Sequence, residues 1–197
     1  MAKANAKIVK LPNRQVSRTQ SVSFVGLTVA LMVVSAWVTV PLGPVPFTLQ
    51  TFVVVFALVV LPPKEALAAI ACYLLMGAVG LPVFSGMRGG LGVVLGPTGG
   101  FLWGFLAGGA LALCVRELID YFRASEAPRP LWVEFIAACV FLAACYACGA
   151  SWYSYVAGVS LSVAFATAVA PFVAIDLAKT VAALATARAV RAAVPRA

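Results

Sequence analysis

Apolar residues run through this chain in long blocks, and proline, glycine and charge gather at the breaks between them. After a polar opening stretch, the first block runs from about Ser21 to Val40 and ends at PLGPVP (41–46). Proline has no amide hydrogen and disrupts a helix interior, so this segment predicts a turn. Further blocks run from about Phe47 to Leu61, stopping at Pro62-Pro63, and from about Lys64 to Leu81. Others run from about Thr98 to Val115, Leu131 to Trp152 and Pro171 to Val190. A spanning helix needs roughly 20 mainly apolar residues. The pattern therefore predicts an all-α membrane protein, a six-transmembrane-helix bundle formed by residues 21–193 behind an N-terminal tail, 1–20. The mildly polar stretch between Tyr153 and Ala170 reads as a short helix or loop at the interface. PVFSGMRGGLGVVLGPTGG (82–100) holds seven glycines and two prolines. It is too apolar for a solvated loop and too glycine-rich for a span. Irregular backbone at membrane depth is tolerated only where protein covers it or where it lines a cavity.

Composition strengthens the membrane reading. The chain is 63% hydrophobic and 10% charged, against about 25% charged in soluble domains. The absence of histidine removes the commonest metal ligand and general base. Cys145 and Cys148 form a CxxC without a second pair, and with Cys72, Cys114 and Cys139 they read as small hydrophobes in apolar segments. The tail carries Lys3, Lys7, Lys10, Arg14 and Arg18 and no acid. The apolar block behind it is too long for the core of a signal peptide, so a cytoplasmic tail and an uncleaved first helix are expected.

Charge then sets orientation. The net charge of +8 suggests topology rather than nucleic acid, because most basic residues flank apolar blocks. With both termini in the cytoplasm, twelve of the 14 Lys and Arg lie on the inner side. This is the positive-inside pattern of a bacterial cytoplasmic membrane protein. The exceptions are Arg88 in the glycine-rich loop, expected to be extracytoplasmic between helices 3 and 4, and Lys179 on the sixth helix. Of the six acids, only Asp176 joins them.

Asp176 and Lys179 are three apart and share a helix face. Charge at membrane depth is costly and faces a partner or a cavity. One reading is a structural ion pair. The other is a polar site for an anionic or amphipathic small molecule, since one acid against two bases leaves a surplus positive charge suited to a carboxylate. The glycines of SGMRGGLG (85–92) permit close approach of backbone to a ligand, or serve a tight packed turn. GxGxxG is not matched and no GK[ST] follows, which argues against a nucleotide site. VPFTLQT (45–51) offers Thr48, Gln50 and Thr51 on the same side, for a ligand or to cap a helix start. Tyr73, Phe84, Trp152 and Tyr153 are candidates for the walls of an apolar pocket, or for packing.

VPFTLQT (45–51), GAVGLPVFSGMRGGLGVVLGPTGGF (77–101) and PFVAIDLAK (171–179) together resemble the BioY family, substrate-binding subunits for biotin transport. The resemblance implies an S component of an energy-coupling factor transporter, which captures biotin near the outer face and performs no chemistry. It implies a transmembrane coupling (T) component and ATPase (A) subunits as partners. ATP would be used by those subunits, so no cofactor is expected on this chain. It carries Arg88, Asp176 and Lys179 over as polar ligands of biotin, and Gly89, Gly90 and Gly92 as a close-packed floor. The carboxylate of biotin suits Lys179 or Arg88, and its ureido N–H groups suit Asp176. Family members often use small-xxx-small on the first helix to dock the coupling protein. Gly26 with Ala30 is the nearest match here. Ala174 and Ile175 stand where the family often has a proline–glycine pair, which leaves the shape of the sixth helix start open. The competing readings are a stand-alone proton-coupled carrier or channel, an S component for another vitamin, and an intramembrane enzyme.

Overall fold

The computed structural model describes residues 18–41, 43–123 and 129–193. Most of the tail, with Lys3, Lys7, Lys10 and Arg14, lies outside them, as do Glu126 and Arg196. The long helices are α1 (Arg18–Trp37), α2 (Gln50–Val60), α3 (Pro63–Ala78), α5 (Gly99–Arg123), α6 (Leu131–Ala157) and α8 (Val173–Ala193). Two short helices, α4 (Leu91–Val94) and α7 (Leu161–Ala168), fill connections. Among the described residues α1, α5 and α6 are long and apolar enough to cross a membrane. The α7–α8 pair, bent by 53°, makes a fourth if counted as one span.

The breaks work as their chemistry demands, with two differences from the sequence pattern. The turn after α1 is a hairpin whose strands, β1 (Thr39–Val40) and β2 (Phe47–Thr48), pair antiparallel, Thr39 with Thr48 and Val40 with Phe47. It takes the end of the first apolar block and the start of the second, so α2 begins only at Gln50. At the other end of the pattern, α5 runs on to Arg123, two turns beyond the expected Val115. Charge there marks the edge of the apolar zone and not the end of the helix. Asp120 and Arg123 pair one turn apart at 3.0 Å and support the extension.

Pro62-Pro63 ends α2 and starts α3, with Pro63 at the first helical position, where its missing N–H is harmless. For α2 the loss matters more. Leu58 and Val59 would bond the amides four residues on, but those residues are prolines. Arginines from two other helices replace the missing donors. Arg116 Nη1 on α5 donates to Leu58 O at 2.5 Å, and Arg191 Nη2 on α8 donates to Val59 O. Positive charge at a helix C-terminus also suits the helix dipole.

The helices pack chiefly as three pairs, α1 with α3, α2 with α8 and α5 with α6. The α5–α6 seam is lined by Gly100, Gly104 and Gly108, four residues apart, a small-residue stripe that lets backbones approach closely. A side chain at Gly104 would meet the Cα of Cys145, and one at Gly108 the carbonyl of Phe141. Between the pairs lies an apolar core around Val54, Val55, Leu58, Ile70, Phe105 and Phe141.

Candidate functional site

The cavity opens at one end of the bundle, between the α2–α8 pair, the α5–α6 pair and the segment that carries Phe84 and Arg88. Counting the solvent at its open mouth, it spans about 710 Å³ of space free of protein atoms. α2 and α8 run parallel and begin here, so their first turns form one polar wall. Asp176 lies in the first turn of α8 and Lys179 in the next. Both are buried, at 5% and 9% exposure, and their side chains meet at 2.8 Å.

This pair is embedded in further bonds. Lys179 Nζ donates to Asp176 Oδ1, to Thr48 O at 2.6 Å and to Thr51 Oγ1 at 3.3 Å. It also stands 3.9 Å from the centre of the Phe47 ring, a cation–π contact. An ammonium has three donors, and all three are engaged. Asp176 Oδ1 accepts a second bond from Thr51 Oγ1 at 2.9 Å, and Oδ2 accepts from Tyr146 Oη of α6 at 2.7 Å. A charged pair this deep is tolerated because each partner meets opposite charge and hydrogen bonds.

A second chain of bonds braces the wall. Thr48 Oγ1 donates to Gln50 Oε1 at 3.0 Å, Gln50 Nε2 to Tyr73 Oη at 2.6 Å, and Tyr73 Oη to Val83 O at 3.1 Å. Tyr73 is fully buried and meets the edge of Phe84 at 5.4 Å between ring centres. It therefore holds Phe84, which lines the cavity, from behind.

The glycine-rich segment supplies the rim. Phe84 N donates to Arg88 O at 2.9 Å, closing a tight turn over Ser85–Met87. Gly86 and Met87 both have positive φ, at 68° and 56°. This conformation is natural for glycine and uncommon for methionine. Arg88 is exposed, lines the cavity, and donates from Nε to Ser85 O at 3.2 Å. Among the described residues its two terminal nitrogens make no hydrogen bond or ion pair.

Arg88, Asp176, Lys179, Gln50, Thr48 and Phe84 thus come together around one cavity. Tyr73 stands one layer behind. Gly89, Gly90 and Gly92 do not line the cavity. Gly89 presses against the carbonyl of Leu81, Gly90 takes a φ of 91°, and Gly92 is exposed with open space around it. They shape the rim and leave the lining to side chains. Gly26 and Ala30 lie on an exposed face of α1. Trp152 ties α6 to the loop by donating from Nε1 to Gly96 O at 2.9 Å. The pattern of charges did not single out Tyr146, Phe101, Phe105 and Phe172, which also line the cavity. Among the described residues no group of three or more His, Cys, Asp or Glu is placed to hold a metal ion.

Known proteins resemble this chain in fold and in sequence. The fold is similar to a solved S-component for biotin from an ECF-type ABC transporter, with a TM-score of 0.78 at 23% identity, covering 90% of this chain and 95% of that one. The Biotin transporter BioY of Thermotoga maritima is 48% identical over 97 residues, covering 49% of this chain and 57% of that protein. The chain likewise spans only 54% of the Probable biotin transporter BioY of Pyrococcus horikoshii, at 48% identity and with 45% of this chain covered. Biotin transporter BioY2 of Lactococcus lactis subsp. cremoris is 34% identical over 167 residues, covering 85% of this chain and 87% of that protein. The sequence model of the BioY family matches residues 6–196, and this chain belongs to that family.

Proposed function

We propose that this chain captures biotin as the substrate-binding subunit of an energy-coupling factor transporter. The observation that carries the reading is a cavity holding a buried acceptor, Asp176, and an uncommitted guanidinium, Arg88. Biotin carries a carboxylate at the end of an alkyl chain and a ureido ring with two N–H donors. The state of the two bases separates their roles. Lys179 spends its three donors within the protein and serves to hold the Asp176 carboxylate in place. Arg88 has open nitrogens at the rim, in the forked geometry that suits a carboxylate. The acid of biotin is therefore assigned to Arg88, its ureido N–H to Asp176, and its apolar body to Phe84, Phe101, Phe105 and Phe172. The chemistry of these groups is recognition; the chain catalyses no reaction.

The same reading gives the bundle six spans, with α2 and α3 crossing alongside the longer helices and α7 as the bent entrance to α8. The cavity end faces outward. Arg116, Glu117, Asp120, Arg129, Glu134 and Arg191 gather at the opposite end, which supports a cytoplasmic placement by the positive-inside pattern. Transport then draws on a separate T component and ATPase subunits, and the exposed Gly26–Ala30 face of α1 offers a close-approach surface to the T component. No nucleic acid or metal enters this reading.

Titration of the detergent-purified protein with biotin by calorimetry tests the core of it. Submicromolar binding that is lost in Asp176→Asn is expected. Absence of such binding by the folded wild type would overturn the reading. Biotin uptake by cells that lack coupling and ATPase subunits would instead favour a stand-alone carrier.

A further inference from the structure

The bonds to Asp176 leave a countable remainder. An ionised carboxylate offers about four acceptor positions, two on each oxygen. Both positions on Oδ1 are filled, by Thr51 Oγ1 at 2.9 Å and Lys179 Nζ at 2.8 Å. One on Oδ2 is filled by Tyr146 Oη at 2.7 Å. One remains, and it lies on the oxygen that Tyr146 holds. Thr51 and Lys179 belong to the α2–α8 wall, whereas Tyr146 reaches across from α6 and itself lines the cavity. The tilt of the carboxylate about its Cβ–Cγ bond is thus fixed from two sides of the site.

We propose that Tyr146 is a positioning residue for Asp176: it restricts the carboxylate to one open acceptor and so sets which array of ligand donors the cavity takes. This rests on the biotin reading above. A neutral ureido ring that presents one N–H to Asp176 satisfies the open position and strands no donor. A cyclic guanidinium presents a fork of two parallel N–H groups on adjacent nitrogens and needs two acceptor positions. With the tyrosine hydroxyl in place, its second donor goes unpaired, which is costly in a buried site.

The test is Tyr146→Phe, titrated in parallel with biotin and with its cyclic guanidine analogue, 2-iminobiotin. The substitution keeps the ring and its packing, and Thr51 and Lys179 still hold Oδ1, so thermal stability should change little. Biotin affinity is expected to fall about tenfold, on the scale of one hydrogen bond to a charged group. Affinity for the guanidine analogue should hold or rise, so the ratio of the two dissociation constants shifts by about tenfold or more toward the analogue. A role confined to packing α6 against α8 would weaken both ligands equally. An unchanged ratio in a protein that binds biotin would overturn the assignment of Tyr146 alone. A wild-type protein that binds neither ligand would overturn both the assignment and the biotin reading.

Discussion

Arg191 on α8 donates to Glu134 on α6 at 2.5 Å, at the end of the bundle away from the cavity. The two partners are unequally placed. The Glu134 side chain is 2% exposed and that of Arg191 38%. Removing the arginine strands a buried carboxylate, whereas removing the charge of the glutamate leaves an arginine with access to solvent and to Val59 O. Arg191→Ala should therefore lower thermal stability clearly more than Glu134→Gln, with a cost up to about 3 kcal/mol when the buried partner is left alone. Thermal unfolding of the two variants in one detergent checks the order. Equal shifts would show that burial does not govern this pair.

The two bases near the cavity should separate by the same logic. Lys179→Met strips Asp176 of its counter-charge and should cost both biotin binding and thermal stability. Arg88→Ala removes an exposed side chain with a single bond to its own loop, and should cost binding alone. Calorimetry with biotin, paired with melting curves, reads both effects. If the Arg88 variant melted as early as the Lys179 variant, the two bases would not divide the labour in this way.

Assigning the ligand acid to Arg88 carries its own test. Biotin methyl ester lacks the negative charge, so wild-type protein should bind it less tightly than biotin, by about tenfold or more for one charged contact. In Arg88→Ala the difference should nearly vanish. A preference for biotin that survived intact in this variant would move the acid to another partner.

Gly104 sits under Cys145, and an added methyl there would lie 2.9 Å from the Cα of that residue. Backbone must give way, because the two nearest atoms, Cα and O of Cys145, belong to the main chain. Gly104→Ala should destabilise the protein by about 1–3 kcal/mol, the usual cost of overpacking. Gly92→Ala, with open space around it, should melt close to wild type. The pair of melting temperatures measures how much of the stability lies in the α5–α6 seam.

These residues also show what the sequence made legible. Arg88, Asp176 and Lys179 stood out because charge in an apolar run needs a partner, and the cavity collects all three. The breaks at PLGPVP and Pro62-Pro63 were legible because proline cannot donate. Tyr146 was hidden, since a tyrosine within an apolar helix looks the same whether it meets lipid, core or ligand. Only the approach of α6 to α8 reveals it. The loop glycines were ambiguous for a related reason. A glycine needed for positive φ, as at Gly90, and one needed for close backbone approach, as at Gly89, are the same letter. The roles of Arg116 and Arg191 follow from two prolines more than 50 residues away, a link that no local pattern carries.

The polar ties between helix pairs have a mechanical consequence. Tyr146 joins the α5–α6 pair to the α2–α8 pair beside the cavity. Glu134–Arg191 and Arg116–Leu58 join the same two pairs at the far end. Between these fastenings the contact is an apolar surface, with no side-chain hydrogen bond from one pair to the other among the described residues. The two pairs therefore form a frame braced at top and bottom, which resists sliding along its length because shear must break both braces together. Releasing one brace alone leaves a different freedom, a pivot about the other.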